Sequence, residues 1–324
     1  MKLLSITTGH DSSACIVENN KIIYYCSAER LSREKHDGLW THLLENIISL
    51  GHIHFDLIAF STDHPEKYLR GFIKSLEKRN ITFGTLQFNG EHHHLYHAHS
   101  GFLNSGFDEA ICIVVDGAGA FRENTFPNYT GPEPDILKEI ESVYLCRRGE
   151  RPKEIFKHYH PFMYKFDLFS ECVEYFKHIE VNQVVSEGVK ISSSFSVGWV
   201  FEHFCEVEGF GPHDAGKVMG LAQYHKNLDI YPEMKDLILG ARDIQVLTQN
   251  DVRDLIKEHT HTIKNVVISG GYGLNCVSNY NLLKEIPDIN LHVDPICFDA
   301  GLSIGQACHL TDVEPFSGVY LGGQ

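Results

Sequence analysis

Apolar residues recur along this chain in short runs that end in small or acidic loop residues, a pattern of buried strands feeding into loops. Residues 3 to 8, Leu-Leu-Ser-Ile-Thr-Thr, read as a buried first strand, followed by Gly9-His10-Asp11-Ser12-Ser13 and a second strand over Ala14 to Val17. Asn19-Asn20 signals a turn, so Lys21 to Ala28 returns as the third strand of a hairpin. The plan repeats from Ala110. Ile111 to Val115 predicts a strand ending in Asp116-Gly117-Ala118-Gly119, and Ser142 to Cys146, Arg148-Gly149-Glu150 and Glu154 to Tyr159 predict another hairpin. Later, Val266 to Ile268 runs into Ser269-Gly270-Gly271-Tyr272-Gly273, and Leu291 to Val293 into residues 295 to 301, each ahead of a helical segment. Alternating strands and helices make this an α/β chain, and the duplication predicts two similar lobes, 1–107 and 108–324, with turns from both meeting at a cleft. The stretch 120–141 holds three of the eleven prolines and reads as an inserted loop followed by a short helix. Aromatic, amphipathic residues over 160–207 predict helices of the second lobe's core.

Composition narrows the function classes. The 324 residues, 43% hydrophobic and 22% charged, are ordinary for a globular protein, and no run approaches the ~18 uninterrupted apolar residues of a membrane span. The start, Met-Lys-Leu-Leu-Ser-Ile-Thr, is too short in its apolar run for a secretory leader, so a cytoplasmic protein is expected. Nine cysteines without a C-x-x-C pair read as reduced core thiols. A formal charge of −15 argues against nucleic acid or anionic membrane as a partner.

Candidate chemistry concentrates in residues 91 to 100, where five imidazoles occupy eight positions. On a helix, His93 and His97 (four apart) or His94 and His97 (three apart) share a face and can grip one ion. A polar helix start is the plain alternative. Asp116 and Asp299 each close a strand-to-loop passage, where a carboxylate can complete a site begun by two imidazoles, although either could serve only as a helix cap. Two His with two carboxylates suits a divalent iron or zinc ion with open positions. The three Gly-rich turns at 9–13, 116–119 and 269–273 suit the close approach of backbone N–H groups to phosphate. Arg30, Arg33 and Lys35 lie in a charged run that more commonly forms a solvated face. Gly216-Lys217-Val218-Met219-Gly220 lacks the spacing of a Walker A loop, and no G-x-S-x-G elbow occurs.

Seven motifs stand in a telling order: Gly9-His10-Asp11-Ser12-Ser13-Ala14-Cys15; Glu29-Arg30-Leu31-Ser32-Arg33 with Lys35-His36-Asp37; His93-His94-Leu95-Tyr96-His97-Ala98; Val114-Val115-Asp116-Gly117; Gly216 to Ala222; Gly270-Gly271 with Asn275-Cys276 and Asn279; and Asp299-Ala300-Gly301. In this order they resemble the NodU/CmcH-like O-carbamoyltransferases, relatives of the TsaD proteins within the ASKHA superfamily of actin-like ATPases and sugar kinases. The resemblance spans almost the whole chain. It implies a two-lobed ASKHA (actin-like ATPase/RNase H-like) fold with duplicated mixed sheets. It also implies a two-step reaction in which a YrdC-like domain makes carbamoyl-adenylate from carbamoyl phosphate and ATP, and this domain passes the carbamoyl group to a hydroxyl of a small-molecule or nucleoside acceptor.

Carried over residue by residue, the resemblance implies metal ligands His93, His97, Asp116 and Asp299, with His94 as a substitute for one imidazole, and Fe(II) or Zn(II) as the ion. His92 and His99 are bystanders. Asp11 or His10 is the candidate base or proton shuttle. Gly9, Ser12, Lys217, Gly270, Gly271 and Asn275 are the candidate contacts of ATP or carbamoyl-adenylate, with Arg33 a further anion contact. Two departures stand out: Ala28 precedes Glu29-Arg30 where the family usually has a second acidic residue, and the insertion follows directly on Asp116. The sequence ends at Gln324, about where a family member would enter its YrdC-like domain, so the adenylate-forming activity is expected from a separate domain or protein. Two other readings are a tRNA-modifying TsaD-like transferase, disfavoured by the acidic balance, and a non-catalytic ASKHA nucleotide or metal sensor, which need not keep four ligands.

Overall fold

The computed structural model describes residues 1–62, 65–131, 136–162, 181–194, 196–211 and 213–316. They form an α/β protein whose chain divides into two units. Unit 1 comprises Met1–Asp108, Cys146–Pro152 and the segment from Val293 onward, and unit 2 comprises Glu109–Leu145 and Lys153–His292.

Unit 1 is built on a five-stranded mixed sheet in the order β3-β2-β1-β4-β5. Its strands are β1 (Lys2–Thr7), β2 (Ser13–Glu18), β3 (Lys21–Ser27), β4 (His54–Ser61) and β5 (Thr82–Phe88). The first three form antiparallel pairs, whereas β4 runs parallel to β1 and β5 parallel to β4. Asn19 and Asn20 both take positive φ, 51° and 64°, the backbone that a tight two-residue hairpin demands and asparagine tolerates. Side-chain alternation divides the sheet's two faces. Leu4, Ile6, Ile16, Ile58 and Phe60 pack with Leu43, Leu44 and Ile47 of α2 (Trp40–Ser49) and with Phe72 and Leu76 of α3 (Pro65–Lys78). Leu3, Cys15, Val17 and Ala59 meet Leu103 of α4 (His93–Leu103) together with Ile304 and Ala307 of the last helix.

That last helix, Leu302–Leu310, changes the domain boundary expected from element order. Residues from Val293 onward belong to unit 1, not to a lobe running from 108 to the end. Burial of Ile304 and Ala307 in the unit 1 core supplies the reason, and two polar ties reinforce it: Ser5 Oγ donates to Gln306 Oε1 at 2.6 Å and Ser13 Oγ to Ser303 Oγ at 2.8 Å. Gly305 is required here because a Cβ would run into the carbonyl oxygen of Tyr96 in α4.

Unit 2 carries a second mixed sheet, ordered β10-β11-β9-β8-β6-β12-β13, with β7 (Phe121–Arg122) attached to β8. Its members are β6 (Glu109–Val115), β8 (Ile136–Arg147), β9 (Lys153–Phe162), β10 (Asn182–Ser186), β11 (Val189–Ser192), β12 (Asn265–Ser269) and β13 (Asn290–Val293). β12 runs parallel to β6, and β8 pairs antiparallel with β9. Helices α5 (Val197–Val207), α6 (Ala215–Leu221), α7 (Lys235–His259) and α8 (Cys276–Glu285) complete the unit. Ser196 caps α5, its hydroxyl accepting from Trp199 N at 3.0 Å.

Two sequence expectations change here. The short helix expected before residue 141 is strand: Ile136 to Glu141 opens the twelve-residue β8, and its buried polar residues have partners, Lys138 over the Phe121 ring of β7 and Glu139 and Glu141 on β9. Lys157 pairs with Glu139, and His158 Nδ1 lies 2.7 Å from Glu141 Oε2. Within 160–207, β10 and β11 stand where helices were expected, and α5 is the helix described there. The portions at 132–135, 163–180 and 195 lie outside the described residues. No helix among the described residues is long and apolar enough to cross a membrane. Among the described cysteines, Cys276 is exposed and Cys15, Cys112, Cys146, Cys205 and Cys297 are buried; burial raises the thiol pKa of Cys15 and pushes that of Cys205 up to about 11.

Candidate metal centre

The histidine-rich decamer begins α4, and its 3.6-residue turn brings His93 and His97 onto one face with Nε2 atoms 3.2 Å apart. Asp299 reaches the same point from the 3₁₀ turn Asp299–Gly301 that leads into the last helix, which we call α9. Its Oδ1 lies 3.5 Å from His93 Nε2 and 3.3 Å from His97 Nε2. The His97 side chain is 1% exposed and that of Asp299 15%. Helix position, close packing of α9 on α4 through Gly305, and the turn at Asp299 fix these three groups together. Ligands held at about 2.1 Å from one ion stand about 3.0 to 3.4 Å from one another, so these separations match the edges of a coordination polyhedron. The donor set of two imidazoles and a carboxylate, all in unit 1, fits Fe(II) or Zn(II). His94 is buried, its ring 5.9 Å from that of His93, and His92 and His99 pack against His309 of α9 at 5.2 and 5.5 Å.

The second oxygen of Asp299 connects this cluster to the turn after β1. Oδ2 stands 3.3 Å from His10 Nε2, and His10 Nδ1 stands 2.6 Å from Asp11 Oδ2. Asp11 is buried at the base of the turn, and its other oxygen lies 3.2 Å from His36 Nδ1. Imidazole and carboxylate thus alternate through His36, Asp11, His10 and Asp299 to the α4 pair. The sequence assigned no role to His36; its neighbourhood in the Glu29–Asp37 motif was the available signal, but 25 residues separate it from Asp11 and only the folded loop joins them. The next residue, Asp37, is buried, which raises a carboxyl pKa, yet hydrogen bonds from Ser32, the Leu39 N–H and His42 outweigh burial and hold it below its usual value.

The remaining sequence-selected residues occupy varied settings. In unit 1, Gly9 sits in the turn between β1 and β2; the Ser12 N–H donates to Asp37 O at 3.0 Å and its hydroxyl to Thr7 O at 2.7 Å. In unit 2, Asp116 directly follows β6, its Oδ1 accepting from Gly271 N at 3.0 Å. Gly270 takes φ 89° and lies so close to Val115 that a Cβ would strike its carbonyl oxygen. Asn275 is buried, caps α8 by accepting from Ser278 N at 3.1 Å, and exchanges amide hydrogen bonds with Gln245 at 2.9 and 3.2 Å. Lys217 is exposed on α6 and pairs with Asp214 at 2.8 Å. Arg33 ends the first helix, α1 (Ala28–Ser32), in the left-handed conformation.

Residues 242–308 match the family described as the carbamoyltransferase N-terminus. That segment contains Asp299, Gly270, Gly271 and Asn275. The chain is 24% identical to an uncharacterized protein, sll1178, of Synechocystis sp., over 92% of this chain and 55% of that protein. It is 21% identical to the nodulation protein NolNO of Sinorhizobium fredii, over 94% of this chain and 46% of NolNO. Among solved structures it is similar to T. kodakarensis HypF, with a TM-score of 0.51 and 14% identity, covering 95% of this chain and 48% of HypF. The chain spans about half the length of the curated relatives it matches. From α7 into α9 it therefore carries the sequence pattern of a carbamoyltransferase N-terminus, and across nearly its whole length it is similar to a nodulation protein and shares its fold with part of HypF.

Proposed function

We propose that this chain is the carbamoyl-transferring part of an O-carbamoyltransferase, acting on a small-molecule or nucleoside hydroxyl with carbamoyl-adenylate as donor. The observation that carries the reading is the convergence of His93 Nε2, His97 Nε2 and Asp299 Oδ1 at 3.2 to 3.5 Å, in a chain whose residues 242–308 match the carbamoyltransferase N-terminus. His93, His97 and Asp299, all in unit 1, would hold Fe(II) or Zn(II). The ion supplies a Lewis acid for charge that develops on the transferred group.

The protein's own groups then orient the reactants and move one proton. The acceptor oxygen bonds to the carbamoyl carbon, the bond from that carbon to the adenylate oxygen breaks, and AMP departs with the electron pair. The proton lost by the acceptor passes to His10, whose ring is held between Asp11 at Nδ1 and Asp299 at Nε2, or to Asp11 itself. In unit 2, Gly270 and Gly271 leave room for the nucleotide, the N–H of Gly271 already serving Asp116, while Asn275 holds the start of α8 and Lys217 offers a solvent-facing ammonium for phosphate; in unit 1, Gly9 and Ser12 shape the turn after β1. A YrdC-like domain or separate protein supplies the carbamoyl-adenylate.

The test supplies synthetic carbamoyl-adenylate and a panel of sugar and nucleoside acceptors to the purified chain and follows AMP and carbamoylated product. The wild-type chain should form product with at least one acceptor, and His97→Ala should form at least a hundredfold less. Equal product from both proteins would refute the assignment.

A further inference from the structure

We infer that the turn after β1 and the loop after α1 form a second divalent-cation site, with His10 Nδ1, Asp11 and His36 Nδ1 as ligands. Both imidazoles converge on one carboxylate: His10 Nδ1 is 2.6 Å from Asp11 Oδ2, His36 Nδ1 is 3.2 and 3.3 Å from the two Asp11 oxygens, and ligand atoms of all three residues lie within 4.8 Å of one another. A shared ion at about 2.1 Å from each ligand needs only a few tenths of an ångström of opening between His10 and Asp11. The carboxylate is buried at 5% exposure and the imidazoles face solvent at 48% and 37%, so the site is anchored at its base and open at its mouth. Three protein ligands with open positions are the donor arrangement of ions that bind a substrate oxygen, here a phosphate or hydroxyl oxygen.

The loop carrying His36 is built to keep it there. Thr8 Oγ1 donates to Gly38 O at 2.8 Å and Ser12 N to Asp37 O at 3.0 Å. Gly38 presses so closely on Gly9 that a Cβ would meet the Gly9 carbonyl oxygen. His36 itself takes φ 57°, a left-handed backbone that histidine adopts more readily than most residues. Asp299 completes the arrangement. With Oδ2 3.3 Å from His10 Nε2 it accepts that N–H and leaves Nδ1 to ligate, the carboxylate–imidazole–metal relation found behind metal-binding histidines, while Oδ1 faces His93 and His97. One carboxylate thereby joins two ion sites in unit 1. In this reading the proton-accepting role proposed for His10 and Asp11 passes to solvent, and the inference rests on the proposed function only for the first ion.

Zinc titration of chelator-stripped protein, with bound metal counted by calorimetry and elemental analysis, tests the two sites separately. Wild-type protein should bind two equivalents. His36→Ala and His36→Gln should each bind one, and a His93→Ala/His97→Ala double variant should retain the equivalent that His36 controls. Circular dichroism melting of each variant keeps unfolding distinguishable from ligand loss; both His36 variants should remain folded at the temperature of the titration. If both His36 variants bind as much zinc as wild type, the row of imidazoles and carboxylates is a hydrogen-bonded chain only and the second site is wrong. If instead the double variant binds as much as wild type, the first site is wrong and the proposed function falls with it.

Discussion

Asp299 turns its two oxygens to different partners. Oδ1 closes on the α4 imidazoles and Oδ2 on His10. Asp299→Asn keeps the shape but places an NH₂ against one of these nitrogen partners, so metal affinity should fall 10- to 100-fold by competition against a chromogenic chelator; unchanged affinity would remove Asp299 from the site. His160 illustrates an opposite fate for an imidazole. It is fully buried against Trp199, with ring centroids 5.2 Å apart, and burial lowers its pKa from 6.5 to about 4. Because the folded value lies below the unfolded one, the unfolded chain takes up the proton first. Stability is complete above pH 6.5 and drains as pH falls toward 4, by roughly 2 to 3 kcal/mol. Urea unfolding followed by fluorescence should show that loss between pH 7.5 and 4.5, and His160→Leu should flatten it; equal slopes in both proteins would assign the acid sensitivity elsewhere.

Elements decide which of the clustered histidines meet. Helical spacing alone left His93/His97 and His94/His97 equally open, and the structure closes the first pair because Asp299 arrives on that side of α4. The approach depends on Gly305, whose missing side chain lets the backbone of α9 sit against Tyr96. Gly305→Ala should push the two helices apart and destabilise the protein by about 1 to 3 kcal/mol. The same shift should weaken metal binding, because His97 and Asp299 move with their helices; chemical denaturation alongside zinc affinity would check both, and unchanged values would mean that α9 does not position the site. The hairpin of β1 to β3 was legible from Asn19-Asn20 and flanking apolar runs, since turn chemistry there is local. The strand at 136–147 was not. Its Lys138, Glu139 and Glu141 look solvated in sequence, and only cross-strand partners such as His158 make their burial tolerable.

At the scale of the whole molecule, sequence order and spatial order part company at the end of the chain. The α/β class follows from strand runs that empty into loops and the paired mixed sheets from the family resemblance, and the structure has both. Return of α9 to the first sheet could not be read from element order, because it depends on Ile304 and Ala307 matching the apolar face left by Leu3, Cys15 and Ala59. That return brings Asp299 to residues more than two hundred positions earlier. His93, His97 and Asp299 were legible through a resemblance in motif order, whereas His36 was not, because its partner Asp11 is reached only through the folded loop. The central claim is that this convergence holds a metal ion. Crystals grown from protein never exposed to chelator, with anomalous diffraction recorded at the iron and zinc edges, test it most directly. A peak is expected about 2.1 Å from His93 Nε2, His97 Nε2 and an Asp299 oxygen. A well-ordered map with no anomalous peak among those three side chains at either edge would contradict it.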